Sequence, residues 1–358
     1  MNDGIKTYER ADTVTLVKAV GIILVVVAHV VLSGWVNKLI ISFHMPLFFL
    51  MSGYCFKEKY MDVPKQFVVR KIKGIYVPYV LYALPFLALH NVFCHLHIYE
   101  PDWLYGWKDF AWHTSRIVTR MSMNEGLLGA FWFLKELFWG SLIFYWMLRV
   151  CKKVKKKWMN ELTVIGLLIL AELMSILGLR IPYFNINHIT VFAAFFIAFG
   201  YLWKQKQWKL DKWWMWLIGI AVMVGNIWIP YPSFIRDVTS LTLPIYIFPA
   251  IIGTMMVFEI CHRVNEYSKN RRSAMKYIGN HTLSILALHF LAFKLVTYGY
   301  IIINRLPIEQ LESFPVQSEC ASMWWGMILY TCAGVVLPLL CVYVWNLMSE
   351  RINMSRNL

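Results

Sequence analysis

Charge is scarce in this chain, and negative charge scarcer still. Only 15% of the 358 residues are charged, with 20 Asp and Glu set against 35 Lys and Arg. Soluble domains carry about 25% charged residues, so a globule solvated by water is excluded. The apolar fraction of 59% and a mean hydropathy of +0.54 point to lipid as the solvent. The seven cysteines contain no CxxC pair, which removes support for a zinc or dithiol site. Heptads and internal repeats are missing, and no soluble domain is expected before or after the apolar runs. A cleavable leader is not expected either, because Asp3, Glu9 and Asp12 precede the first run and no small-residue cleavage site follows it.

What is present is a series of apolar runs long enough to cross a bilayer, which takes about 20 residues each. They fall near 14–33, 38–56, 75–97, 131–148, 161–179, 188–203, 213–230, 240–261, 281–303 and 322–347. The expected fold is an all-α polytopic membrane protein of about ten transmembrane helices, a single domain over 1–358. Cations alternate between the connecting segments: 25 fall in the N-terminal segment, 57–74, 149–160, 204–212, 262–280 and the C-terminus, and 7 in the intervening segments. The positive-inside rule then puts both termini in the cytoplasm. The net charge of +15 is explained by topology and anionic lipid, so no nucleic-acid partner is expected. Residues 98–130, rich in Trp, Tyr, Asp and His, read either as an interfacial anchor or as a lid over a site.

Ionisable residues inside hydrocarbon cost roughly 2.5–3.5 kcal/mol for Lys at a helix centre and mark function by default. The first two runs hold Lys18, His29 and His44. Eleven residues separate Lys18 from His29, three helical turns plus about 20°, so both project from one face about 16 Å apart. Lys18 could also snorkel, and His29 could be an interhelical hydrogen bonder. Arg70 and Lys73 abut the third run, spaced i and i+3 if 68–76 is helical. They serve either topology or a phosphate clamp beside Lys18. Glu136, Glu172, Glu259 and His289 are further intramembrane candidates. Lys135 and Glu136, being adjacent, are expected to face different ways, and His289 is either a second site histidine or a packing residue. His90 and the other histidines near run ends need no special role.

The Lys-x10-His spacing, FHMPLFFLMSGY, RKIKGIYVPY, FWFL and YIGNHTLSILALHF occur in this order, and together they resemble the acyltransferase-3 family of bacterial membrane acyltransferases. The resemblance implies an O-acyltransferase of the cytoplasmic (inner) membrane. It would move an acyl group, acetyl above all, from acetyl-CoA at the cytoplasmic side to a hydroxyl of an extracytoplasmic or lipid-linked glycan, without a metal. It assigns donor binding to Lys18, Arg70 and Lys73 and catalysis to His29, with His44 or Glu136 orienting His29 or holding the acceptor. Lys18 and Lys73 stand where the family pattern has Arg, which keeps charge but gives up bidentate phosphate recognition. The alternative is a secondary transporter or flippase using intramembrane His and Glu as a proton relay, although the duplicated halves such proteins often show are not visible.

Overall fold

The computed structural model describes residues 2–31, 34–154, 156, 158–229, 242–267 and 273–356. Among these there is no strand, only one isolated bridge between Ile181 and Ile186. The helices are α1 (Asn2–Val30), α2 (Gly34–Ile41), α3 (His44–Tyr54), α4 (Pro64–Lys71), α5 (Val77–Ala88), α6 (His90–His95), α7 (Trp107–Arg120), α8 (Trp132–Lys152), α9 (Met159–Ile176), α10 (His188–Lys206), α11 (Trp213–Trp228), α12 (Leu243–Tyr267), α13 (Ser273–Asn280), α14 (Thr282–Asn304), α15 (Ser318–Ser322) and α16 (Trp324–Arg356). Seven helical stretches among the described residues are long and apolar enough to cross a membrane. The run at 213–230 forms a shorter helix, and the run at 75–97 is split at Leu89 between α5 and α6. Arg236, Lys155, Lys157, Lys269, Arg271 and Arg272 lie outside the described residues.

α10 is apolar on every side (VFAAFFIAFGYLW), the pattern of a helix with no solvent face. It is buried almost throughout and packs on α3, α8 and α9. The approach to α3 is backbone to backbone: a Cβ on Gly53 would run into the Ile197 carbonyl, and one on Gly200 into that of Leu50. Small residues permit such contact where lipid gives helices no hydrophobic reason to associate. Exposed apolar stripes on α9 (Ile165, Ile169, Leu173, Ile176) and α16 (Ile328, Leu340, Leu347) are faces suited to lipid.

Two prolines break the helices where it matters. Pro46 lacks the N–H that would bond the Ser42 carbonyl, and the backbone separates α2 from α3 at Ser42–Phe43, directly before His44. Pro78 likewise leaves the Gly74 carbonyl without its helical donor. The chain there slackens into a π turn over Ile72–Tyr76, with the Val77 N–H bonded five residues back to Ile72.

The connecting segments gather into two ends. Lys152 pairs with Glu58 (3.2 Å), Lys276 with Asp12 (2.6 Å), and Lys204 donates to the Phe56 carbonyl (2.9 Å), joining the lysine-rich segments at a basic end. At the other end His97 meets Glu312 (3.4 Å), and Lys294 donates to the Leu311 carbonyl (2.6 Å).

The segment 98–130 has structure of its own. α7 leaves Trp107 and Trp112 exposed and buries Ile117. Its neighbours are organised by His90, which is fully buried rather than an incidental residue at the end of a run. His90 pairs with Glu125 at 3.1 Å, bonds the Trp103 carbonyl at 2.7 Å, and stacks on Tyr105 with ring centroids 3.6 Å apart.

Candidate functional site

Val14, Lys18, Ile22 and Val25 form one stripe on α1, with His29 a turn further along. Together with Met45, Phe48 and Ser52 of α3, Cys55 just after it, Phe133 and Leu137 of α8, Gly74, and Leu283 and Leu286 of α14, the stripe walls a cavity of about 330 Å³. The cavity is nearly all apolar. Its exception is the basic end, where Lys18 and Ser52 enter. Among the described residues nothing accepts a hydrogen bond from Lys18, which is half-buried. An ammonium partly withdrawn from water and without an acceptor can take an anion.

Past Val25, Met45 and Leu286 of the lining, on the same three helices, lies a group of histidines that does not itself line the cavity. His29 stacks on His289 (centroids 5.4 Å, 27° between planes) and packs edge-on against Phe290 at 4.7 Å. His44 lies within electrostatic reach of His29. His44 directs Nδ1 at the Ile40 carbonyl (2.9 Å), and His289 directs Nδ1 at those of Ile285 and Leu286 (3.0 Å each). A carbonyl only accepts, so Nδ1 carries the hydrogen in both rings and Nε2 is left as an acceptor. The Nε2 of His289 is buried without a donor, and neither nitrogen of His29 has a partner among the described residues. Three imidazoles with unmet hydrogen-bonding capacity stand together beyond the apolar lining.

The other sequence-derived candidates are placed differently. Arg70 is exposed and donates to the Tyr60 hydroxyl (2.7 Å), and Lys73 is exposed and does not line the cavity. Between them Lys71 points inward and donates to Ser52 at 3.2 Å. Burial, and then the neighbouring Arg70, pushes the Lys71 ammonium down to about 8. The sequence reading missed Lys71 because the π turn at 72–76 breaks the i, i+3 spacing it relied on.

Glu136 does not line this cavity. Contrary to the expectation for adjacent residues, Lys135 and Glu136 both turn inward and pair at 2.9 Å, while Thr190 donates to Glu136 (2.5 Å) and Lys135 to the Asn185 carbonyl (3.1 Å). The long lysine stem curls back, so both charges fit at the seam of α8 and α10. They line a second cavity of about 300 Å³ with Glu125, Trp132, Asn185 and Asn187, on a different face of α8 from the first. Glu259 pairs with Arg263 of its own helix at 3.0 Å, and Glu172 keeps one buried oxygen unpartnered. Among the described residues no three His, Cys, Asp or Glu form a group able to hold a metal ion. His289 was accessible to sequence as an ionisable residue inside an apolar run, but its pairing with α1 was not.

Compared with known protein families, residues 12–344 match the family model of an acyltransferase domain, acyltransferase-3. No curated protein and no solved structure matches the chain.

Proposed function

The chain belongs to this acyltransferase family, and on that premise we propose that it moves an acetyl group from acetyl-CoA to a hydroxyl of an extracytoplasmic or lipid-linked glycan, in the cytoplasmic membrane. Its class as a multi-pass membrane acyltransferase follows from the family and the apolar helices. One observation carries the rest: a single face of α1 holds Lys18, whose ammonium enters an apolar cavity without a hydrogen-bond partner among the described residues, and, one turn past the last α1 residue of that cavity, His29, whose ring nitrogens have no hydrogen-bond partner there either.

In this reading the basic end faces the cytoplasm. Lys18 and Lys71 meet the donor's phosphates, with Arg70 and Lys73 attracting them from the surface, and the thioester arm runs along the apolar wall toward His29. His29 takes the proton of the acceptor hydroxyl as its oxygen attacks the thioester carbonyl. The carbon–sulfur bond breaks, and the thiolate leaves and regains that proton. The Nε2 atoms of His44 and His289 accept hydrogen bonds that orient the hydroxyl or the His29 N–H. An apolar wall keeps water from the thioester. Family membership sets the transporter reading aside, and no feature of the cavity favours it.

The test supplies labelled acetyl-CoA to inverted membrane vesicles and follows label into glycan. His29→Ala is expected to lower transfer by about 10²–10⁴-fold, the usual contribution of general base catalysis. Transfer at the wild-type rate would remove His29 from the chemistry.

A further inference from the structure

The second cavity, between α8 and the segment after α7, has no part in the donor path. We propose that it seats the acceptor, and that the unit it takes is an uncharged, hydroxyl-rich ring, a neutral saccharide residue. The proposal rests on the acyltransferase reading above for the word acceptor, and on this cavity alone for the chemistry of the ligand.

Its lining contrasts with that of the donor cavity. Glu125, Lys135, Glu136, Asn185 and Asn187 present carboxylate, ammonium and amide groups beside the indole of Trp132. Sugar hydroxyls pair with such groups as both donors and acceptors, and charged partners make the stronger bonds. An aromatic face suits the C–H side of a pyranose. The volume of about 300 Å³ lies at the small end of ligand sites, which run roughly 300–1,000 Å³.

The charges decide the class of ring. Lys135 is already neutralised by Glu136, and Glu125 is held by His90, so two carboxylates face the floor with no uncommitted cation among the lining residues. Arg116 bonds Ser122 at the rim (2.9 Å) but is not part of the lining. A uronic acid or phosphorylated sugar would bring like charge to like. Burial raises the Glu125 carboxyl above its usual range, with hydrogen bonds from His90 and Tyr99 opposing the shift.

The position also fits. Gly129 forms part of the wall, and a Cβ there would lie 3.8 Å from the ring of Phe290, the ring that touches His29. A short run of neighbours, Gly129 to Phe290 to His29, therefore leads from the cavity wall to the histidines.

The experiment measures binding without any acyl donor. Full-length protein in lipid nanodiscs is titrated with the methyl glycosides of glucose, N-acetylglucosamine and glucuronic acid, followed by saturation-transfer NMR. The two neutral glycosides are expected to give saturable signals, and the glucuronide to bind roughly tenfold more weakly or worse, as like charges across an interface dictate. Ser122→Trp, which fills the rim, and Glu136→Gln are each expected to weaken the neutral glycosides at least ~10-fold, with the unfolding temperature reporting that each variant is folded. If Ser122→Trp does not fold, Glu136→Gln carries the same test. Neutral glycosides that give no signal above a glycerol control, or that bind folded variants as well as wild type, overturn the proposal, as does a glucuronide that binds equally well. The two readings fail separately. Glycoside binding without acetyl-CoA-dependent transfer leaves the subsite standing and removes the acetyl-transfer reading. Transfer that persists with glycoside binding unchanged by the variants removes the subsite alone.

Discussion

Lys71 shows how one side chain gives a membrane site its pH dependence. An ammonium that titrates near pH 8 is charged below that value and neutral above it, so the share of anion affinity it supplies is full in the acid range and lost as pH rises. In the proposed scheme the KM for acetyl-CoA therefore climbs between pH 8 and 9. Lys71→Arg, whose guanidinium stays charged throughout, is expected to flatten that rise. Steady-state kinetics over this range on both forms settles it, and a rise unaltered in the variant would detach Lys71 from the donor. At this scale the sequence was partly legible. Lys18 and His29 share a face because the helical period is fixed and α1 is helical through both, although only Lys18 lines the cavity. The stacking of His29 on His289 depends on how α1 meets α14, 260 residues later in the chain, and no local rule encodes it. Lys135 and Glu136 were misread because a rule about neighbouring positions ignores how far a lysine stem reaches.

At the scale of elements, apolar length located the helices and proline located their breaks. Pro46 stands two residues after His44, and the chain is interrupted just before that histidine. The π turn ahead of Pro78 was hidden, since an apolar run looks the same with or without one extra residue in a turn. The α3–α10 seam carries its own prediction. Gly200 meets the backbone of Leu50 so closely that even a methyl forces the helices apart. Gly200→Ala is expected to destabilise the protein by about 1–3 kcal/mol or more, the range for overpacking a close-packed core. Gly225, whose Cβ would meet nothing within 4 Å, supplies the control. The measurement is thermal unfolding in detergent, and equal transitions for the two alanine variants would mean that the seam yields freely.

For the whole molecule, the two ends differ in charge, and that asymmetry predicts orientation. Single cysteines replacing Lys59, beside the Glu58 cluster, and Asp102, near the His90 network, are expected to react with a membrane-impermeant maleimide from opposite sides in a background stripped of native cysteines. Lys59→Cys should label in inverted vesicles and Asp102→Cys in intact cells after the outer barrier is opened. The reverse pattern would invert the donor path. Beyond orientation, the molecule keeps a polar cavity and an apolar one on different faces of α8, and the ring of Phe290 packs against His29 and lies next to Gly129 in the wall of the polar cavity. In the proposed scheme the acyl group goes either to a hydroxyl or to water, and the Phe290 ring against His29 is the side chain placed to bias that choice. Phe290→Ala is expected to turn the protein into a leaking thioesterase: coenzyme A released per acetyl delivered to glycan should rise above the one-to-one ratio of a tight transferase, most visibly when acceptor is withheld.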